Sequence, residues 1–231
     1  GIIGGLIYLQ PDLSATITVF VLGGLLFFLA GGDLRQIAFL LVVAIIVGLL
    51  VVQVSATGRE RVSSYLQGIK DPTQASYHVR RSFEAIVKGG WFGVGIGRSN
   101  TKLLGLPVPP TDSIFAVISE ELGLLGALGT VLLYFFLAWR GLQIAKKAPD
   151  MLGSLLAAGL TFWIVSEATI NMLVMVGLLP FAGNALPFIS AGGSNLTASM
   201  MAIGILLNVS RQAAPETERT EWSNLGATLD V

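Results

Sequence analysis

Asp112 stands directly before a long apolar run, Ser113–Trp139, and directly after a segment rich in arginine and lysine. A carboxylate there supports two readings. Preceded by Pro109-Pro110-Thr111, it is what a helix N-cap looks like. Beside many cations at the edge of an apolar element, it can also act as a general base or hold a divalent cation such as Mg or Mn. Residues 55–111 carry Arg59, Arg61, Lys70, Arg80, Arg81, Lys88, Arg98 and Lys102 against Glu60, Asp71 and Glu84. That imbalance attracts anions.

Other polar groups fall inside apolar runs. Glu120 and Glu121 follow Asp112 two turns later, and Glu167 and Asn171 lie one turn apart within Leu152–Leu179. Carboxylates at membrane depth are costly and face a cavity or a partner, so Glu121, Glu167 and Asn171 read as cavity-lining or helix-pairing groups. Asp12, next to Pro11, reads the same way. Leu186-Pro187-Phe188-Ile189-Ser190-Ala191-Gly192-Gly193-Ser194 breaks a helix, which at membrane depth requires burial in protein or a wet cavity. The free N–H groups of such a break suit phosphate or carboxylate oxygens.

The glycine run Gly89-Gly90-Trp91-Phe92-Gly93-Val94-Gly95-Ile96-Gly97 lacks the strand and βαβ unit of a dinucleotide site, and it lacks the Gly-Lys-Ser/Thr of a P-loop. It reads as a tight loop in which glycine permits close backbone packing. A single histidine, His78, excludes a multi-histidine zinc site, and the absence of cysteine excludes disulfides and thiolate chemistry.

The elements that must carry these residues are apolar helices. The chain of 231 residues is 53% hydrophobic and 12% charged, whereas soluble domains carry about 25% charged residues. Expected spans are the end of one over Gly1–Leu9, then Leu13–Ala30, Ile37–Val54, Ser113–Trp139, Leu152–Leu179 and Asn195–Val209. The expected fold class is therefore all-α: a polytopic transmembrane bundle with one large extracytoplasmic loop and a broken helix near the C-terminus. By domain, residues 1–54 hold spans, the first one partial. Residues 55–112 form the basic loop, 113–210 the remaining spans, and 211–231 a polar cytoplasmic tail expected to be disordered.

Within the loop, Ser76–Val87 predicts an amphipathic helix with Tyr77, Val79, Phe83, Ile86 and Val87 on its apolar face, lying on the membrane surface or on the span bundle. Arg35, the Arg140/Lys146/Lys147 turn within Arg140–Asp150, and Arg211 fall on one side if the spans alternate, and that side should be cytoplasmic. The basic segment and the uncharged loop Pro180–Pro187 then share the outer face.

Taken together, Gln10-Pro11-Asp12-Leu13, the glycine run, Pro110-Thr111-Asp112-Ser113-Ile114-Phe115-Ala116-Val117 continuing to Glu120-Glu121-Leu122-Gly123, and Leu186–Ser190 with Gly192-Gly193-Ser194 occur in the order seen in SEDS proteins. The sequence resembles this FtsW/RodA/SpoVE family over essentially the whole chain to Arg211. The resemblance implies the C-terminal half of a protein of about ten spans in the bacterial cytoplasmic membrane. It also implies polymerisation of lipid II, the undecaprenyl-pyrophosphate-linked peptidoglycan precursor, at the outer face together with a class B penicillin-binding protein. Asp112 matches the family's essential acidic residue. Arg98, Lys102 and Arg81 would hold pyrophosphate, and Ser190, Gly192, Gly193 and Ser194 would complete the substrate site.

The chain departs from the family pattern in Pro110 for His, Ser113 for Phe, Ala191 for an aromatic, and Glu167 where Gln is frequent. Lys102 leans towards the division branch. Rival readings are a lipid II flippase or transporter built on the same broken helix and buried carboxylates, a non-catalytic division or elongation scaffold, and a generic secondary transporter.

Overall fold

A computed structural model of the chain describes residues 13–54, 56–101 and 111–213. The expected features at Asp12, at Lys102 and over 214–231 lie outside these residues. Among the described residues the fold is all-helical: α1 (Leu13–Leu29), α2 (Leu34–Val54), α3 (Ala56–Lys70), a 3-10 turn (Pro72–Gln74), α4 (Tyr77–Gly89), α5 (Ile114–Lys147), α6 (Met151–Met175) and α7 (Gly193–Gln212).

Local chemistry sets the boundaries. Asp33 starts α2, its side chain accepting from the Arg35 amide at 3.0 Å and its carbonyl accepting from Gln36 and Ile37. Pro149 keeps Ala148 extended and ends α5, and the Asp150 side chain then caps α6 through the Gly153 amide. Gly177 closes α6 in the left-handed region (φ 70°), with Leu178 N–H on the Leu173 carbonyl and Gly177 N–H on Val174, the pairing of a Schellman motif.

α5 and α6 form an antiparallel pair, with α4 and α7 packed on it and α1 on α6. The seam is made of small residues. Gly141 leaves no room for a side chain beside Thr161, and a Cβ on Gly159 would lie 2.8 Å from Leu26 of α1. The core joins Ala85, Phe115, Ala116, Ala127, Tyr134, Ile164, Ala168, Met172, Met175, Leu186 and Ala202. Large apolar side chains point outward instead: Leu132, Leu133, Phe135 and Phe136 of α5 are all more than half exposed. Small residues inside and large apolar residues outside are the arrangement of helices that pack in lipid.

Among the described residues two helices, α5 and α6, are long and apolar enough to cross a membrane, and the stretches Thr18–Leu29 and Leu34–Ile46 are apolar but shorter. Two expectations change, and one left open is answered. Arg140–Asp150 is not all turn, because α5 continues through Lys147, where Lys146 and Lys147 favour a helix C-terminus. The basic segment holds a second helix, α3, in addition to the expected one. And α4 buries Val79, Ser82, Ala85 and Gly89, while Tyr77, Phe83 and Val87 are exposed. Close approach to α5 selects the small face of α4 over its bulky one: a Cβ on Gly89 would overlap the Ser119 backbone.

Candidate functional site

Asp112 lies in the turn that enters α5, half-buried. Ser113, not Asp112, occupies the N-cap position, and the Asp112 carboxylate makes no hydrogen bond among the described residues, so the cap reading is replaced. What holds Asp112 is its backbone. The Asn171 side-chain amide donates to the Asp112 carbonyl at 2.8 Å and to the Asn184 carbonyl at 2.6 Å. Next door, the Ser190 hydroxyl donates to the Thr111 carbonyl at 2.6 Å and accepts from the Leu186 amide at 2.7 Å. Tyr134 of α5 donates to the Pro187 carbonyl.

The segment after α6 is thus folded beneath the Asp112 turn. Phe188 adopts a left-handed conformation there (φ 68°), a costly state for a bulky residue that the surrounding bonds over-determine. The carboxylate itself rests against Gly183, where a Cβ would stand 3.1 Å from Oδ2.

Beside this turn a cleft of about 290 Å³ opens between α3, α4 and the end of α6, lined among others by Glu60, Arg61, Tyr65, His78, Phe83 and Phe181. His78 stacks on Phe181 with ring centroids 4.0 Å apart, and the Arg61 guanidinium lies 5.8 Å from the centroid of the same ring. Tyr65 donates to the Leu178 carbonyl at 2.7 Å and ties α3 to the loop. Burial pushes the His78 pKa down, Asp112 pulls it up and Arg61 pushes it down again. The imidazole therefore senses both charges.

The other expected site residues are distributed. Asn171 supports the Asp112 backbone and Ser190 that of its neighbour Thr111. Glu121 accepts from the amides of Gly97 (2.9 Å) and Ser99 (3.3 Å), while buried Glu120 accepts from Ser99 Oγ and from Thr101 Oγ1 at 2.8 Å. Both carboxylates thus organise the glycine loop. Its amides at Val94 and Gly95 pair with the Glu120 and Glu121 carbonyls, and Gly123 (φ 69°, ψ −166°) interrupts α5 so that Leu124 N–H reaches the Gly90 carbonyl. Glu167 accepts from Asn195 at 3.3 Å and links α6 to α7. Gly192, Gly193 and Ser194 form the start of α7. Arg81 is engaged with Glu84 (2.6 Å) and Tyr77, and Arg98 is exposed on the glycine loop. Neither makes a hydrogen bond or ion pair to Asp112 among the described residues.

Sequence reasoning counted Arg61 only within the basic segment, passed over Phe181, Gly183 and Asn184, and used His78 only to exclude zinc. The spacing of Arg61, Ser64, Tyr65, Gly68 and Ile69 is a helical stripe and could have marked one wall of the cleft. Nothing in the uncharged loop Pro180–Pro187 signals a position of contact with Asp112.

The geometry can be set against known proteins. A family model described as "Cell cycle protein", that of FtsW, RodA and SpoVE, matches residues 1–214. The chain belongs to the FtsW/RodA/SpoVE family. It is similar to stage V sporulation protein E of Bacillus subtilis (strain 168), 42% identical over 89% of this chain and 56% of that protein. It is also similar to the probable peptidoglycan glycosyltransferase FtsW of Legionella pneumophila subsp. pneumophila (strain Philadelphia 1), 37% identical over 97% of this chain and 56% of the relative. A solved structure titled "Structural coordination of polymerization and crosslinking by a peptidoglycan synthase complex" superimposes with a TM-score of 0.71 at 27% identity, covering 93% of this chain and 60% of that one. The chain spans about half the length of the curated relatives it matches. Membership in the FtsW/RodA/SpoVE family, with two spanning-length apolar helices, makes it a membrane protein.

Proposed function

We propose that this chain carries the catalytic carboxylate of a peptidoglycan glycosyltransferase that polymerises lipid II at the outer face of the cytoplasmic membrane. The observation that carries the reading is Asp112: its backbone is fixed by Asn171, and its neighbour Thr111 by Ser190, while its carboxylate is left without a hydrogen-bond partner among the described residues. A group held this way can accept a proton without first breaking a bond.

In this reaction the acceptor sugar hydroxyl gives its proton to Asp112 as its oxygen bonds to the donor's anomeric carbon. The bond from that carbon to the pyrophosphate oxygen breaks, and undecaprenyl pyrophosphate leaves with the electron pair. Cations stabilise that leaving charge. Arg61 joins Arg98, Lys102 and Arg81 as a candidate, and it has the strongest claim because it lies in the cleft beside His78. A guanidinium suits bidentate contact with phosphate oxygens.

A divalent cation, Mg or Mn, fits this neighbourhood by its oxygen donors. The Oδ1 atoms of Asn171 and Asn184 are buried without hydrogen-bond partners, and hard cations take carboxylate and amide oxygens together with substrate phosphates. No group of three or more acidic, histidine or cysteine side chains that could hold a metal occurs among the described residues. Asp112 would be the one protein carboxylate on such an ion, whose contribution would be to neutralise charge on the pyrophosphate.

In this reading the spans alternate so that the α3–α4 segment lies outside, the helix break between α6 and α7 lies beneath the site, and the partner is a class B penicillin-binding protein. The test is glycan-strand formation from purified lipid II by the protein with its class B partner. Asp112→Asn should lower the rate by about 10²–10⁴-fold with insertion and thermal unfolding unchanged. Equal polymer from the variant would defeat the assignment. Lipid II movement across vesicles without polymer would favour the flippase.

A further inference from the structure

The glycine loop exposes a cluster that the reaction does not use. Trp91 is 67% exposed, Phe92 81% and Ile96 82%, with Val94 also exposed. Loops that display such residues are normally mobile or covered, yet this one is fixed. Its amides and carbonyls pair with α5 at four places: Val94 N–H on the Glu120 carbonyl (2.9 Å), Gly95 N–H on Glu121 (3.0 Å), and Leu124 and Leu125 N–H on Gly90 (2.8 Å) and Trp91 (3.3 Å). Side-chain bonds from Glu120 and Glu121 secure its far end.

The attachment point has a meaning along α5. Glu120 and Glu121 are the last charged residues before Leu122–Trp139, which contains no Asp, Glu, Lys or Arg. At 1.5 Å per residue that run is about 27 Å long, close to the roughly 30 Å hydrocarbon core of a bilayer. The loop is therefore pinned where the charged part of α5 gives way to the apolar part. Its exposed aromatics continue into the exposed Leu122, Leu124, Leu125 and Leu128 of α5. Lys88 and Arg98, both exposed, flank the cluster. Tryptophan with flanking basic residues at the end of an apolar run is the composition of a membrane interface.

We propose that the loop Gly90–Gly97 is an interfacial wedge, with Trp91, Phe92 and Ile96 seated in the headgroup and acyl boundary of the leaflet nearest Asp112. It does not depend on the glycosyltransferase assignment, only on α5 crossing the membrane. The occupant is lipid: the cluster is contiguous with the outward apolar face of α5 and carries no acidic residue. Because the loop is bonded to α5 two turns beyond Asp112, the wedge sets the depth of that carboxylate relative to the surface.

The test uses the chain in phosphatidylglycerol/phosphatidylcholine nanodiscs. Trp139, Trp163 and Trp222 are replaced by Phe, leaving Trp91 as the sole tryptophan. Lipids brominated on the acyl carbons just below the headgroup should quench most of its emission, and lipids brominated near the chain ends much less, since interfacial side chains sit about 5–10 Å deep. Aqueous iodide should have little effect. A second readout is independent of those replacements: the chain has no cysteine, so Phe92→Cys accepts a single spin label, which should collide with oxygen more than with a water-soluble nickel chelate. Iodide quenching without bromolipid quenching would overturn the proposal in favour of a water-facing loop. Protection from both quenchers would overturn it in favour of a protein partner.

Discussion

Asn171 Nδ2 lies 2.8 Å from the carbonyl oxygen of Asp112 and 2.6 Å from that of Asn184, so one buried amide ties the Asp112 turn to the loop that follows α6. The side chain is 1% exposed, and no water-facing route replaces its two bonds. Asn171→Leu would leave both carbonyls unpaired, at about 1–3 kcal/mol for the buried Asn184 carbonyl and less for the part-buried one of Asp112. Thermal unfolding should report that loss. Polymer formation should fall by about 10²-fold, the usual consequence of a misplacement near 1 Å, even at temperatures where the variant stays folded. Unchanged turnover in folded Asn171→Leu would show that the amide does not position Asp112.

Gly183 tests the same carboxylate from its other side. A Cβ there would stand 3.1 Å from Asp112 Oδ2, closer than ordinary contact, and the glycine is not in a left-handed conformation. Substitution therefore costs little in backbone strain and acts on the carboxylate. Gly183→Ala should lower turnover moderately and Gly183→Val by about 10²-fold, with both unfolding close to wild type. A graded loss of activity at constant stability is the signature, and equal activity in the valine variant would remove Gly183 from the site.

The all-helical class and the two long apolar helices were readable because each depends on runs in one stretch of chain, and Asp112 could be nominated from a motif in the same way. Periodicity alone left open whether α4 turns its apolar stripe to the bundle or to the membrane surface, because packing against α5 is decided by the smallness of Ser82, Ala85 and Gly89, which carry no strong hydrophobic signal. The kink at Gly123 was equally hidden, since Glu120-Glu121-Leu122-Gly123 reads as continuous helix until the glycine loop is laid against it. Arg61, His78 and Phe181 meet only through the tertiary fold. Arg61 consequently joins Arg98 as a candidate cation only once the fold sets it beside His78.

The loop that braces α5 depends on two glycines in different ways. Gly93 has φ 78°, which costs an L-residue about 1–2 kcal/mol, and a side chain there would also strike the Glu121 backbone. Gly89 has ordinary helical geometry, but a Cβ would overlap the Ser119 carbonyl of α5. Gly93→Ala and Gly89→Ala should each destabilise the protein by about 1–3 kcal/mol, read as a lowered unfolding temperature in detergent. Gly97 offers the control: it also has positive φ (79°) but open space around its Cβ position, so Gly97→Ala should cost less than Gly93→Ala. Equal losses at both would mean that backbone conformation, and not contact with α5, sets the penalty.

His78 gives the protein a pH dependence whose sign can be worked out. Burial lowers its pKa from 6.5 in the folded state, and Arg61 adds to the effect while Asp112 opposes it. The groups facing the imidazole in and beside the cleft are Arg61 and Glu60 from α3 and Asp112 from the turn before α5. Above pH 6.5 the ring is neutral in both states and contributes no pH dependence. As pH falls below 6.5 the unfolded chain takes up the proton first, so stability declines until the folded pKa is passed. Protonation would also set a cation beside Arg61 and Asp112, stacked on Phe181. Thermal unfolding followed from pH 8 to pH 5 should show this decline in the wild type and a weaker one in His78→Gln, which keeps a polar side chain without the titration. Parallel profiles for the two proteins would assign the acid sensitivity to other groups.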